Sequence, residues 1–396
     1  MLGSIYKGMA GMLSFDKGLS NISSNVANMN TNGYKKTELH FRDAMYQQKD
    51  GIKGSSPSST EANILSTNHS QGELQATGND TDMAINGQGY FILRDGDQTY
   101  YTRAGEFDFD VDGYLVNKGD GYRVAGLNGS SSLSDINIKN FRAIDANPSS
   151  KIELMGNLSV SGTLHNITDV EVVDVDGTRR VLNLEFTNNS AITPQSWLVE
   201  VKDETGSVVQ NNLEIRFNPN GSPMLDFNSV SFSLAANSGA KSNINIFTGE
   251  PDSFNQVTNF SSGSTSSVEM ESTDGNAPGV MIGMEIDQSG NIVVNYSNGE
   301  SQTADKIALA YFQSLESLDV IANGMLQTNG TESPIIGAVE TEGLGKIEGG
   351  KVEQSNVELT SEFTNMIVIQ RGYQASSQVL TSANEMIQQL MEATSK

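Results

Sequence analysis

"SNVELTSEFTNMIVIQRGYQASSQVLTSANEMIQQLM", Ser355 to Met391, decides how the chain is organised. Along it Leu359, Phe363, Met366, Gln370, Tyr373, Ser377, Leu380, Asn384, Ile387 and Met391 recur at alternating steps of four and three. Seven of those ten are apolar, which is the a/d pattern of a heptad seam. The stretch contains Gly372 and no proline, so one helix is expected from about Val357 to about Glu392. Ser355 followed by Glu358 has the spacing of a capping box at its start.

The other end of the chain carries a counterpart. Leu2, Ile5, Met9, Met12, Leu19 and Val26 fall at steps of three, four or multiples of seven, with Ile22 one position off the row. The row runs into "SSNVANMNTNGYKK", Ser23 to Lys36. Asn tolerates left-handed backbone and Gly33 accepts positive φ, so this stretch stops the helix near Asn28. Its side-chain amides are expected to satisfy backbone groups at the helix end. Seams this narrow cannot cover a large sheet. Two readings follow: the helices pair with each other or with neighbouring subunits, or they lie as ordinary amphipathic helices on a central core.

Almost everything between the helices reads as strands. Turn dipeptides Asn86-Gly87, Asp95-Gly96, Asp112-Gly113 and Asp120-Gly121 punctuate residues 71–145, in the manner of hairpins. A second strand series, "VEVVDV", "RVLNLEF", "WLVEVK", "NLEIRF" and "VSFSL", fills about 150–250 with period-two alternation. The one tryptophan, Trp197, lies in such a strand and reads as core. Residues 259–277, rich in Ser, Thr and Gly, read as a connector before strands resume. The expected fold is mainly β with terminal α-helices, the β domains nested between coiled-coil helices at the two ends. The expected divisions are 1–32 with 357–396 (helical), 33–70 (extended connector), 71–145 with 276–356 (one β domain) and 146–275 (a second, outer β domain).

Composition excludes several functions. The 396 residues include no Cys and carry a formal net charge of −24, which disfavours nucleic acid and anionic membrane surfaces as partners. No run of 18 apolar residues is long enough to span a membrane. "MLGSIYKGMAGML" lacks the basic start and continuous apolar region of a Sec-type signal. His40, His69 and His165 are scattered, so a catalytic triad or a His/Cys zinc site has little to draw on. Ser14-Phe15-Asp16-Lys17 fits S-x-x-K without the companion motifs that chemistry needs. Asp108 to Gly113 begins like a calcium loop, but Gly119 stands where the bidentate Glu belongs. No catalytic, cofactor or metal site is expected, and the chain is read as a non-enzyme.

The Asn-rich stretch Ser23–Lys36, the turn-rich region 71–145 and the stretch Ser355–Met391 together resemble the bacterial flagellar axial proteins, the rod and hook group, and within it the hook branch most closely. Asn25, Asn28, Thr31, Gly33, Tyr34 and Lys35 match the family's N-terminal signature. "GELQATGNDTDMAINGQGYFIL", "YYTRAGEFDFDVDGYLVN" and "GDGYRVAG" are similar to its shared β domain, and the quoted C-terminal stretch to its last helix. The middle segments and the length favour hook over rod. The resemblance implies a structural subunit of the hook, polymerising into a flexible curved tube that carries torque from rod to filament. It implies an extracellular, flagellar location reached by type III export without a cleaved signal. The implied partners are further copies of the chain, the rod, hook-cap and hook–filament junction proteins, and the export apparatus. Expected subunit-interface residues are Leu2, Ile5, Met9, Met12, Leu19, Ile22 and Val26 on the first helix, and Leu359, Phe363, Met366, Tyr373, Leu380 and Ile387 on the last. The alternatives are a rigid rod subunit of the same family, and a surface β-sandwich adhesin or carbohydrate-binding module.

Overall fold

The computed structural model describes residues 2–40, 64–127, 132–315, 318–321, 324–330, 332–341 and 343–394. Helix α1 spans Leu2–Ala27 and helix α2 spans Leu359–Thr394, with β structure between them. The chain forms two compact units. The first comprises Met1–Lys139, Met284–Val293 and Thr303–Lys396, and the second Asn140–Gly283 and Val294–Gln302.

In the first unit, strand Tyr90–Asp95 is central. It pairs antiparallel with Gln98–Thr102, with Arg123–Leu127 and with Ser301–Tyr311. Its run of four apolar residues is buried on both faces. Phe91 and Leu93 join Met83, Phe107, Leu115, Ile307 and Leu309, while Tyr90 and Ile92 face Tyr101, Ala308 and Phe312. Three of the four turn dipeptides join antiparallel neighbours: Asp95-Gly96, Asp112-Gly113 and Asp120-Gly121. Asn86-Gly87 does not, because strand Met83–Asn86 pairs instead with Lys346–Gly349 near the end of the chain. Lys351–Glu353 likewise pairs with Leu74–Ala76, placing Val352 opposite Gln75. These two long-range pairings close the unit and bring the segment before α2 beside the segment after α1. The expected connector contains the strand pair Thr37–His40 and Ile64–Thr67, and its residues 41–63 lie outside the described residues.

The second unit has two sheets. Leu164–Val173, Arg179–Asn188, Ser196–Asp203 and Val208–Arg216 form an antiparallel meander. The other sheet is built around Lys151–Asn157, parallel to Lys241–Phe247 and antiparallel to Glu269–Thr273. Alternate residues of both sheets point into one core, including Ile152, Val172, Leu184, Phe186, Trp197, Val199, Ile244 and Ile246. Trp197 is fully buried. The stretch 259–277 is a correction to the sequence reading, since Glu269–Thr273 is a built-in strand. Ser266 Oγ accepts from the Ser159 amide at 3.0 Å, and Asn259 Nδ2 donates to Leu158 O at 2.7 Å. Serine and asparagine there serve as hydrogen-bonding fillers rather than as a flexible linker. The unit also extends past the expected 146–275, because Ala143 pairs with Val280 and Asn147 bridges Asn276.

Since the single tryptophan reports on this core alone, Phe186→Ala is expected to lower the stability of the second unit by about 3–5 kcal/mol. Denaturant unfolding followed by tryptophan emission measures the change.

Candidate functional site

The terminal helices pack against each other antiparallel. Phe15 lies against Gly372, Ile369 against Gly18, Ser376 against Gly11 and Leu380 against Gly8. The row by which α1 meets α2 is therefore Gly8, Gly11, Phe15, Gly18, Ile22 and Asn25. This is a heptad row, but it differs from the apolar row read in the sequence. Glycine and serine allow close approach of two helix backbones, and Phe15, Ile369 and Leu380 fill the space that the facing glycines leave. Of the expected residues, Ile22 is buried, and Ile5, Met12, Leu19, Val26, Met366, Leu380 and Ile387 are half-buried. Met9, Leu359, Phe363 and Tyr373 are exposed, Met9 by 53% and Phe363 by 48%. Leu2 falls within α1, but its side chain lies outside the described residues. Ser14 is buried and Lys17 is exposed, an arrangement of a helix surface and not of an S-x-x-K site.

Below the helices, asparagines reverse the chain. The Asn28 amide donates to Ser24 O at 2.9 Å and Thr31 Oγ1 donates to Asn28 Oδ1 at 3.2 Å, occupying a carbonyl of the last helical turn. Asn25, almost wholly buried, grips the returning backbone at both polar atoms of Thr37. Its Nδ2 donates to Thr37 O at 2.9 Å, and its Oδ1 accepts from Thr37 N at 3.1 Å. Asn21, one turn earlier, donates to the same carbonyl at 2.7 Å and accepts from the Thr37 hydroxyl. Tyr34 OH donates to Asn25 Oδ1 at 3.2 Å. These carboxamides pair with the returning strand as a backbone neighbour would. Gly33 has φ of 72°, and a Cβ there would lie 2.4 Å from the Ala104 nitrogen. Both the conformation and the space demand glycine.

Glu353 is the centre of the joint. Its carboxylate is fully buried and accepts from Lys35 Nζ, from Arg103 Nη1 at 3.2 Å and from the Gly72 amide at 2.8 Å. Its backbone carbonyl accepts from the Gly33 amide at 2.7 Å. Arg103 also donates to Gly87 O at 2.8 Å and lies over the Tyr90 ring. Lys35 donates to Ser70 O at 2.8 Å. Burial holds the Lys35 amine below its ordinary range, against the opposing pull of Glu353. Burial also pushes the Tyr90 phenol up to about 12, so it stays protonated beside His69 Nδ1 at 2.9 Å. His69 is held below the ordinary imidazole range by burial, then by the Lys35 and Arg103 charges. Nearby, Asn356 ties the two chain segments, accepting from Lys36 N at 2.8 Å and donating to Asn68 O at 2.8 Å. That tie keeps residues before α2 extended, so Ser355 caps only the Val357 amide and α2 starts at Leu359 without the expected box.

Asn25, Asn28, Thr31, Gly33, Tyr34 and Lys35 thus gather at one joint. Asn21, Thr37, Arg103, Glu353 and Asn356 belong to it too, though sequence reasoning missed them. Asn21 had a signal, sitting four residues before Asn25 on the same helix face. Glu353 had none, since its partners are 318 and 250 residues away. The three histidines bond separately, to Ser66, Tyr90 and Val268 O. Asp110 closes a turn by accepting from the Asp112 and Tyr114 amides. Among the described residues, no group of three or more His, Cys, Asp and Glu is placed to hold a metal ion.

Paired helices at the two ends of the chain with β structure between them define the class, and three family models match the chain in order. They are "Flagella basal body rod protein" over residues 5–35, "Flagellar hook protein FlgE/F/G D1 domain" over 84–163 and "Flagellar basal body rod FlgEFG protein C-terminal" over 348–393. These matches make the chain similar to the flagellar rod and hook protein family. Within it, the chain is similar from end to end to flagellar hook proteins FlgE. That of Treponema pallidum is 29% identical over 458 residues, covering 98% of each chain. That of Borreliella burgdorferi is 29% identical over 445 residues, covering 99% of each. The crystal structure of Helicobacter pylori hook protein FlgE2 matches the fold with a TM-score of 0.52, at 14% identity, covering 71% of this chain and all of that one.

Two outcomes are expected at the joint. Glu353→Gln leaves Lys35 and Arg103 buried against a neutral amide and should cost the first unit about 3–5 kcal/mol, read as a lowered calorimetric transition. His69, with its folded pKa depressed from 6.5, binds a proton more readily when unfolded. Its contribution is complete above about pH 6.5 and is lost as pH falls from there toward the depressed value. The melting temperature of His69→Gln should therefore drop less than that of the parent between about pH 7.5 and about pH 5.

Proposed function

We propose that this chain is the structural subunit of the bacterial flagellar hook, polymerising through its terminal helices into a curved tube. The observation that carries the reading is the apolar surface left outward by the helix pair. Tyr6, Met9 and Leu13 on α1 and Phe363, Ile367, Val368 and Tyr373 on α2 are all exposed. Continuous rows of this kind mark an interaction face, and scattered single exposures do not. Further copies of the chain cover them in the tube. The pair itself buries few apolar side chains, Ile22 and Ala383 among them, so it is marginal alone and gains its order on assembly.

The β units supply the outer layers. Their surfaces are acidic and hydrogen-bonding, which suits wet contacts that shift as a rotating, bent tube compresses and extends. Type III export through the channel, and contacts with the rod, the hook cap and the hook–filament junction, follow from the same reading. A rod subunit is the second reading, because the matching family models cover rod and hook proteins alike.

Electron microscopy of polymer assembled from the full chain tests the proposal. A curved hollow tube supports the hook subunit, a straight stiff one supports the rod subunit, and no polymer removes both. Met9→Asp should abolish polymer while leaving tryptophan emission, and so the second unit, unchanged.

A further inference from the structure

Part of the contact between α1 and α2 is made by small groups. Gly8 faces the Ser376 carbonyl and Leu380, and Gly11 faces the Ser376 side chain. Such a surface has little relief and would permit one helix to slide along the other. Two neighbouring contacts differ. The Phe15 ring fills the place where Gly372 would carry a side chain, and a Cβ there would lie 2.4 Å from its nearest atom. In the reverse sense, Ile369 Cδ1 lies 2.7 Å from where a Cβ of Gly18 would stand. Each helix therefore contributes one large side chain and one notch, three residues apart.

We propose that this reciprocal pair is the register lock of the terminal helices, with Phe15 and Gly372 as its positioning residues. The argument is one of alternatives. Within α1 glycine recurs at 3, 8, 11 and 18, so a one-heptad slip could still bring Ile369 to a glycine, Gly11. Within α2, Gly372 is the single glycine. The same slip, about 10.5 Å at 1.5 Å per residue, puts Phe15 opposite Asn365, and the opposite slip puts it opposite Val379. Either residue fills the notch with its own Cβ, and the interlocked ring has nowhere to go. The lock aligns Met9 and Leu13 of one helix with Tyr373 of the other. That consequence for assembly rests on the polymer reading above, whereas the lock itself does not.

The absence of cysteine makes the register directly measurable in the full chain. A Cβ built on Gly11 lies 3.6 Å from Ser376 Cβ, within disulfide range. Gly11→Cys with Ser376→Cys should oxidise to a crosslink within one chain. Gly11→Cys with Ala383→Cys, which meets only after a one-heptad slip, should crosslink at least about tenfold less. Gly372→Val should lower the Gly11–Ser376 yield, and adding Phe15→Ala, which vacates the ring, should restore it. Replacing a helical glycine raises intrinsic helix propensity, so loss of the crosslink would not come from a weaker helix. Equal yield from the two cysteine pairs, an unaffected Gly372→Val yield, failure of Phe15→Ala to rescue, or crosslinks running between chains would each overturn the lock. Tryptophan emission checks that every variant remains folded in its second unit. If the lock holds but Gly372→Val polymerises normally, its assembly role is overturned. If the parent chain forms no polymer, the function proposal fails while the crosslink result still stands.

Discussion

One buried carboxylate organises the base of this molecule. Glu353 takes Lys35 from the segment after α1, the Gly72 amide from just before strand Leu74–Ala76 and Arg103 from just after strand Gln98–Thr102. A charge with no exposure to water is tolerable only when it is paired and fully hydrogen-bonded. All three segments must therefore arrive together, or none can remain. The outgoing end of α1 and the incoming end of α2 are held side by side as a result. The helices start their pairing at Asn25 and Glu362, where Asn25 Nδ2 lies 3.4 Å from Glu362 Oε2. Everything above that point, including the row of glycines and the placement of the outward apolar faces, inherits its position from this joint.

The molecule separates two kinds of contact. The helices meet through glycines and a few large side chains, Phe15, Ile369 and Leu380, and leave other large apolar side chains exposed, Met9, Phe363 and Tyr373 among them. The β units do the opposite, with Trp197, Phe186, Phe91 and Phe107 fully buried and polar residues on the surface.

Several elements were legible because their signals are local. Both helices ended within a few residues of their expected limits, since asparagine, glycine and the heptad period act over one or two turns. The alternating strands around Trp197 were equally readable, because period two exposes one face and buries the other. Asn86-Gly87 misled, as a turn dipeptide cannot say which strand its neighbour will join. Ser355 and Glu358 misled for a related reason, since Asn356 was already committed to Lys36 and Asn68 far away in sequence. The serine-rich stretch 259–277 looked loose because hydrogen bonds from serine and asparagine leave no hydrophobic period to detect.

By itself the sequence determined the order of elements: a helix, nested strands, a helix, and an Asn-rich joint that had to turn. Heptad spacing and turn chemistry depend on neighbours a few residues apart, so they survive without any knowledge of the fold. Which row of each helix faces the other was decided only in three dimensions. Hydrophobicity ranked Met9 and Phe363 above Gly11 and Gly372, but distance of approach favours the residues without side chains. The partners of Glu353 were likewise a product of tertiary structure, because a buried ion cluster exists only once distant segments have closed around it.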